Sequence, residues 1–133
     1  MPAGVDHFDL VVSDLERSLA FYRGLLEPLG YVRASEIVGE RGERVVYLGG
    51  PDVVSLSLRS AQTPGGYDRY RVGIHHVAFA APSREVVDER LAWARAQGVE
   101  IENEPREYDY RPGYYAGFFR DPDGIKLEVV YVP

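Results

Sequence analysis

Two histidines and one glutamate carry the strongest chemical signal in the chain. His7 and His76 stand 69 residues apart, each near the start of an apolar strand-like run that leads into a helix start. Glu128 lies in Lys126-Leu127-Glu128-Val129-Val130-Tyr131, where a carboxylate among apolar neighbours is costly to bury unless something pairs with it. Two imidazoles and one carboxylate form a facial donor set for a divalent first-row ion, with positions left open for water, substrate or dioxygen. The chain has no Cys, which excludes disulfides, thiolate metal sites and a cysteine nucleophile, so any metal must be held by nitrogen and oxygen. Within Ile74-His75-His76-Val77, strand alternation favours His76 over His75 as the donor. His76 shares its face with Ala78 and Ala80, small residues that leave room, whereas His75 goes with Val77 and Phe79. A single strand histidine is more often a satisfied polar group than a ligand; the agreement of three features gives the set its weight.

The elements that must position these residues can be read from spacing. Residues 5–12 form a strand pattern with Phe8, Leu10 and Val12 on one face and His7, Asp9 and Val11 on the other. Ser13-Asp14-Leu15-Glu16 has the capping-box form, and Leu15, Leu19, Tyr22 and Leu26 then make a helical stripe that Pro28 and Gly30 stop. Three strand-like runs follow, over residues 31–38, 44–48 and 53–58, separated by glycine-containing turns. After a stretch without apolar periodicity the series repeats. A strand over 73–81 leads to a helix opening at Pro82-Ser83 with Val87, Leu91 and Ala94 as its stripe, then strands over 99–103, 114–120 and 125–132. The registers agree: Gly98 follows Gly30 by 68 residues, and Pro122-Asp123 follow Pro51-Asp52 by 71. The expected fold is α+β, two tandem βαβββ modules forming a curved, mostly antiparallel sheet around a cavity. Module 1 spans residues 5–59, the linker 60–73 and module 2 74–132, within one domain, since neither half alone is large enough for a stable core.

Composition narrows the function. The 133 residues are 45% hydrophobic and carry a net charge of −6, with 15 Lys and Arg against 21 Asp and Glu. No basic footprint for nucleic acid is present. The first residues lack the pattern of a secretory signal, and no apolar run reaches the length of a membrane span, so no membrane partner and a cytoplasmic location are expected. Six of the ten tyrosines fall between Tyr67 and Tyr115, a clustering that suits a lined cavity, although tyrosine is also a favoured strand residue. Glu100, Glu102, Glu104 and Glu107 read as a solvated strand edge.

The run from His7 to Ser18, with Phe21-Tyr22 and Leu29-Gly30-Tyr31 after it, resembles the first module of the vicinal oxygen chelate superfamily. That superfamily includes glyoxalase I, fosfomycin-resistance transferases, extradiol dioxygenases and bleomycin-resistance proteins. His76-Val77-Ala78-Phe79 and Asp121-Pro122-Asp123-Gly124-Ile125-Lys126-Leu127-Glu128 resemble its second-module signatures, so the resemblance covers nearly the whole chain. It implies metal ligation by His7, His76 and Glu128, with Glu128 also the catalytic carboxylate. The fourth ligand of glyoxalase I would fall at Ser57, or at Ser55 with a slip of two residues, and neither is a carboxylate. Three protein ligands, with substrate oxygens completing the shell, match the dioxygenase or fosfomycin-transferase type.

Candidate substrate contacts are Asp9, Ser57, Arg59, Tyr110, Arg111, Tyr114 and Tyr115. Arg59 and Arg111 are candidate anion holders, and alternation lets only one of Tyr114 and Tyr115 face a cavity. The leading expectation is a small-molecule enzyme, a lyase, dioxygenase or transferase, in which Fe, Mn, Ni or Zn acts as a Lewis acid. The alternative is a metal-free protein that binds or sequesters an aromatic compound or antibiotic. A homodimer is expected, and a site shared between two chains is compatible with it.

Overall fold

β1 (His7–Val12) alternates as its sequence demands, with Leu10 and Val12 buried and His7, Asp9 and Val11 exposed. The structure, a computed structural model, describes residues 3–133. Helix α1 (Leu15–Leu26) follows, and its cap is Asp14, which accepts from the Arg17 amide at 3.1 Å. The box read from sequence had placed Ser13 there; the Ser13 hydroxyl instead accepts from the Arg17 guanidinium at 2.9 Å. Both residue types cap well, and a carboxylate also gains from the positive end of the helix dipole. Leu15, Leu19, Tyr22 and Leu26 are buried along one stripe, and a 3-10 turn over Glu27–Leu29 ends at Gly30 with φ of +102°. β2 (Arg33–Val38), β3 (Arg44–Gly49) and β4 (Ser55–Ser60) complete a sheet ordered β1-β4-β3-β2. Its β1–β4 pair is parallel and the other two pairs are antiparallel.

The series then repeats with β5 (Val77–Ala80), α2 (Arg84–Ala96), β6 (Ile101–Glu107), β7 (Tyr115–Arg120) and β8 (Lys126–Tyr131). The second sheet is ordered β5-β8-β7-β6, with β5–β8 parallel and the rest antiparallel. The chain divides into two compact units on either side of Gly65 and Gly66. Each is one βαβββ module, so the α+β, repeated architecture expected from the sequence is the one observed. Several strands start two to four residues later than their apolar patterns; β5 in particular begins only after His75 and His76.

In the second unit, Val87, Leu91 and Ala94 of α2 are buried against β7 and β8. Gly117 permits this approach, since a Cβ there would lie 2.5 Å from Leu91 Cγ. Asp121 fixes the β7–β8 turn by accepting from the amides of Asp123 and Ile125 at 2.8 and 2.9 Å, with Gly124 at φ +84°. The edge strand β6 contains Pro105 and pairs with β7 through two register shifts, between Ile101 and Asn103 and between Asn103 and Arg106. No helix among the described residues is long and apolar enough to cross a membrane.

Candidate functional site

The parallel strand pair at one side of each sheet, β1–β4 and β5–β8, sets the candidate residues opposite one another. In the first unit His7 pairs with Ser55 and Asp9 with Ser57; in the second Ala78 pairs with Glu128. Ser57 and Glu128 are therefore structural equivalents, as the 71-residue offset implied.

Glu128 projects from the face of β8 opposite α2, together with Lys126 and Val130. Its cross-strand partner on β7 is Phe118. The carboxylate is only 2% exposed. Tyr114 donates its hydroxyl to Glu128 Oε2, and His76 Nε2 lies 3.2 Å from Glu128 Oε1. Burial and the hydrogen bond to Glu128 push the Tyr114 phenol well above its ordinary pKa, so it stays a neutral donor. His76 Nδ1 in turn lies 2.8 Å from His75 Nδ1. Burial and the neighbouring His76, Lys126 and Arg69 lower the His75 pKa from its ordinary value, which keeps that imidazole neutral at pH 7. An aromatic wall continues from this point. Tyr108 stacks on Tyr110 at 5.3 Å with planes 5° apart, Tyr110 meets Tyr114 edge-on at 5.2 Å, and Tyr108 meets Phe118 edge-on at 5.6 Å. Arg111 lies over the Tyr114 ring at 5.5 Å.

In the first unit, His7 Nδ1 is 2.8 Å from Asp6 Oδ1, and its ring meets Tyr47 edge-on at 5.5 Å. Tyr47 and Ser55, the strand partner of His7, both line a surface hollow of about 440 Å³. Asp9 Oδ1 is 3.4 Å from Arg59, whose guanidinium also reaches Glu43 at 3.3 Å. Among the described residues, the Ser57 hydroxyl is buried without a hydrogen-bond partner.

The candidates thus fall into groups. His76, Glu128, Tyr110, Arg111 and Tyr114 gather in the second unit, and His7, Asp9, Ser57 and Arg59 share one face in the first. Tyr115 stands apart: it occupies the helix face of β7, and its hydroxyl donates to Asp88 of α2 at 2.7 Å. Within either unit, among the described residues, no three His, Asp or Glu side chains gather as a metal-binding group.

One cluster escaped the sequence reading. Glu102, expected to be a solvated edge residue, has a side chain only 14% exposed and is surrounded by Arg69, Arg120 and Lys126. Cations from a loop and two strands cover it, so alternation along β6 alone misplaces it. Burial works to raise its pKa, and the hydrogen bond and charge of Arg69, with Lys126 and Arg120, outweigh that and lower it. Its edge neighbours are paired as well: Glu100 with Arg120 at 3.0 Å, Glu104 with Arg95 and Glu107 with Arg84.

Comparisons with known proteins agree with this architecture. The uncharacterized protein YqjT of Bacillus subtilis (strain 168) is 34% identical over 128 residues, covering 93% of this chain and 95% of its own. A glyoxylase/bleomycin resistance protein/dioxygenase domain from Frankia sp. EAN1pec matches all of both chains with a TM-score of 0.74 and 29% identity. The fosfomycin resistance protein FosX of Listeria monocytogenes, in a structure complexed with Mn(II) and a sulfate ion, shares the fold. Its TM-score is 0.68 and its identity 22%, over 100% of this chain and 95% of that one. A family model matches residues 4–129, and with it the chain belongs to the Glyoxalase/Bleomycin resistance protein/Dioxygenase superfamily.

Proposed function

We propose that the protein is a metal-dependent small-molecule enzyme of the vicinal oxygen chelate type, with His76 and Glu128 holding the ion and His7, of the same chain or of a second copy, as the third ligand. The observation that carries this reading is the approach of His76 Nε2 to Glu128 Oε1 at 3.2 Å, with the glutamate almost wholly buried and the imidazole partly open to solvent. If His76 Nδ1–H donates to His75, its Nε2 presents a lone pair to a carboxylate oxygen, and two acceptors so placed require a cation or a proton between them. Nitrogen and carboxylate oxygen suit Mn, Fe, Ni or Zn. Tyr114 holds Oε2, which orients the other carboxylate oxygen toward His76. Tyr108, Tyr110 and Phe118 offer an aromatic wall for the body of a substrate. A bound divalent ion would supply Lewis acidity to vicinal oxygens of that substrate. The proposed working state is a cytoplasmic homodimer.

The test is titration of metal-stripped protein with Mn(II), followed by the electron paramagnetic resonance of free Mn(II). Glu128→Ala is expected to weaken binding by at least about 100-fold and Tyr114→Phe by about tenfold. Unchanged affinity in Glu128→Ala would overturn the reading. A second reading, a metal-free binder of aromatic compounds, draws on the stacked Tyr108–Tyr110 pair. Catechol binding by stripped protein that survives Glu128→Ala, with no Mn(II) binding by the wild type, would decide for it.

A further inference from the structure

The loop before β5 builds a second charged feature. Asp68 accepts from the Tyr70 amide at 2.9 Å, and the Arg71 amide donates to the Asp68 carbonyl at 3.1 Å, a local turn that sets Arg69 and Arg71 around it. Arg69 reaches across to Glu102 Oε2 at 3.3 Å and also to Oε1. Arg120 approaches the same Oε1 at 2.9 Å from β7, and Lys126 stands 3.7 Å from Oε2 on β8. Residues 66–71 and Arg120 line a surface hollow of about 340 Å³, within the size range of small-molecule sites.

The charge balance of this hollow runs against that of the chain. Its lining carries Arg69, Arg71 and Arg120 against Asp68, and with the ion-paired Glu100, Glu102 and Lys126 added a local excess of one positive charge remains in a protein whose net charge is −6. Three cations share Glu102, and Arg71 is bound only loosely, 3.9 Å from Asp68 with most of its side chain in solvent. Arginine carries five N–H donors in a planar fork suited to oxyanions. Arg120 uses Nε and one terminal nitrogen on its two glutamates, which among the described residues leaves its other terminal nitrogen available. Tyr67 and Tyr70 flank the opening and also touch His75, the first through its carbonyl and the second ring to ring at 5.4 Å.

We infer that this hollow is an oxyanion site, taking the phosphoryl group of a small phosphorylated molecule on Arg69, Arg71 and Arg120, with Glu102 as the internal anion that holds the arginines in place. The inference stands on the hollow and its charges and is independent of the metal reading.

Inorganic phosphate is the probe, titrated into metal-stripped protein by calorimetry at low ionic strength. Saturable binding at one site is expected. Arg120→Gln should weaken it by about tenfold through loss of a charge-assisted contact. Arg71→Gln, on an exposed side chain whose removal leaves the fold intact, should weaken it by about threefold, and decides the matter if Arg120→Gln does not fold. Glu102→Gln, which removes the competing anion, should tighten it by about threefold. Glu128→Ala should leave phosphate affinity unchanged while weakening Mn(II) binding by at least about 100-fold, so failure of either reading is seen separately. Absence of saturable binding, or equal affinity in wild type and both arginine variants, would overturn the inference.

Discussion

The two modules place one carboxylate each on the equivalent cross-strand rung, but on opposite strands. In the first unit Asp9 of β1 faces Ser57 of β4; in the second Ala78 of β5 faces Glu128 of β8. Asp9 is partly in water and is met by Arg59, so its charge is compensated locally. Glu128 is almost wholly buried and is met by a phenol and an imidazole. At the position equivalent to Arg59 the second unit has Val130, and the guanidinium that neutralises the first acid has no counterpart there. The same backbone thus serves two electrostatic settings, one in which a guanidinium meets the acid and one in which a buried acid meets a phenol and an imidazole instead.

That contrast can be broken by exchanging the rung. Ser57→Glu should destabilise the protein by about 3–5 kcal/mol, because a second carboxylate enters a buried site beside Asp9 with Arg59 already engaged. Adding Asp9→Ala should restore at least half of that loss by freeing Arg59 for the new acid. Urea unfolding measures both, and a Ser57→Glu protein as stable as the wild type would show that the two sites are not electrostatically distinct. A smaller effect sharpens the packing side. Val46 in the first unit stands where the second has Gly117, so Gly117→Val should cost about 1–3 kcal/mol in thermal unfolding by driving Leu91 off the sheet. The smallest effect belongs to Asp9→Ala, expected to change stability by less than about 1 kcal/mol, since the pair it breaks is exposed and 3.4 Å long.

Much of this was legible in the residues because local signals agreed with the global repeat. The period-two runs, the helix stripes and the 68- to 71-residue offsets all pointed to paired βαβββ modules, and the equivalence of Ser57 and Glu128 followed from the same arithmetic. Choosing between Ser13 and Asp14 as helix cap was beyond sequence because serine and aspartate are both preferred at that position. Tyr114 and Tyr115 could be separated only by the register of β7, which turns one to Glu128 and the other to Asp88. Glu102 was misread because its cover comes from Arg69, 33 residues earlier in a loop without periodicity, and from two strands beyond. Interactions of that range leave no trace in a window of neighbouring residues.

The irregular pairing of β6 has a consequence for behaviour in concentrated solution. Its proline lacks an amide proton, and the two register shifts break the even row of donors and acceptors that an incoming strand would need. The edge formed by β2 has no such guard: six residues pair in unbroken register with β3, and Ile37 and Val38 are exposed along it. Self-association of partly unfolded chains is therefore directed to the first module's edge, and a lysine at Ile37 is the substitution that would keep the protein dispersed.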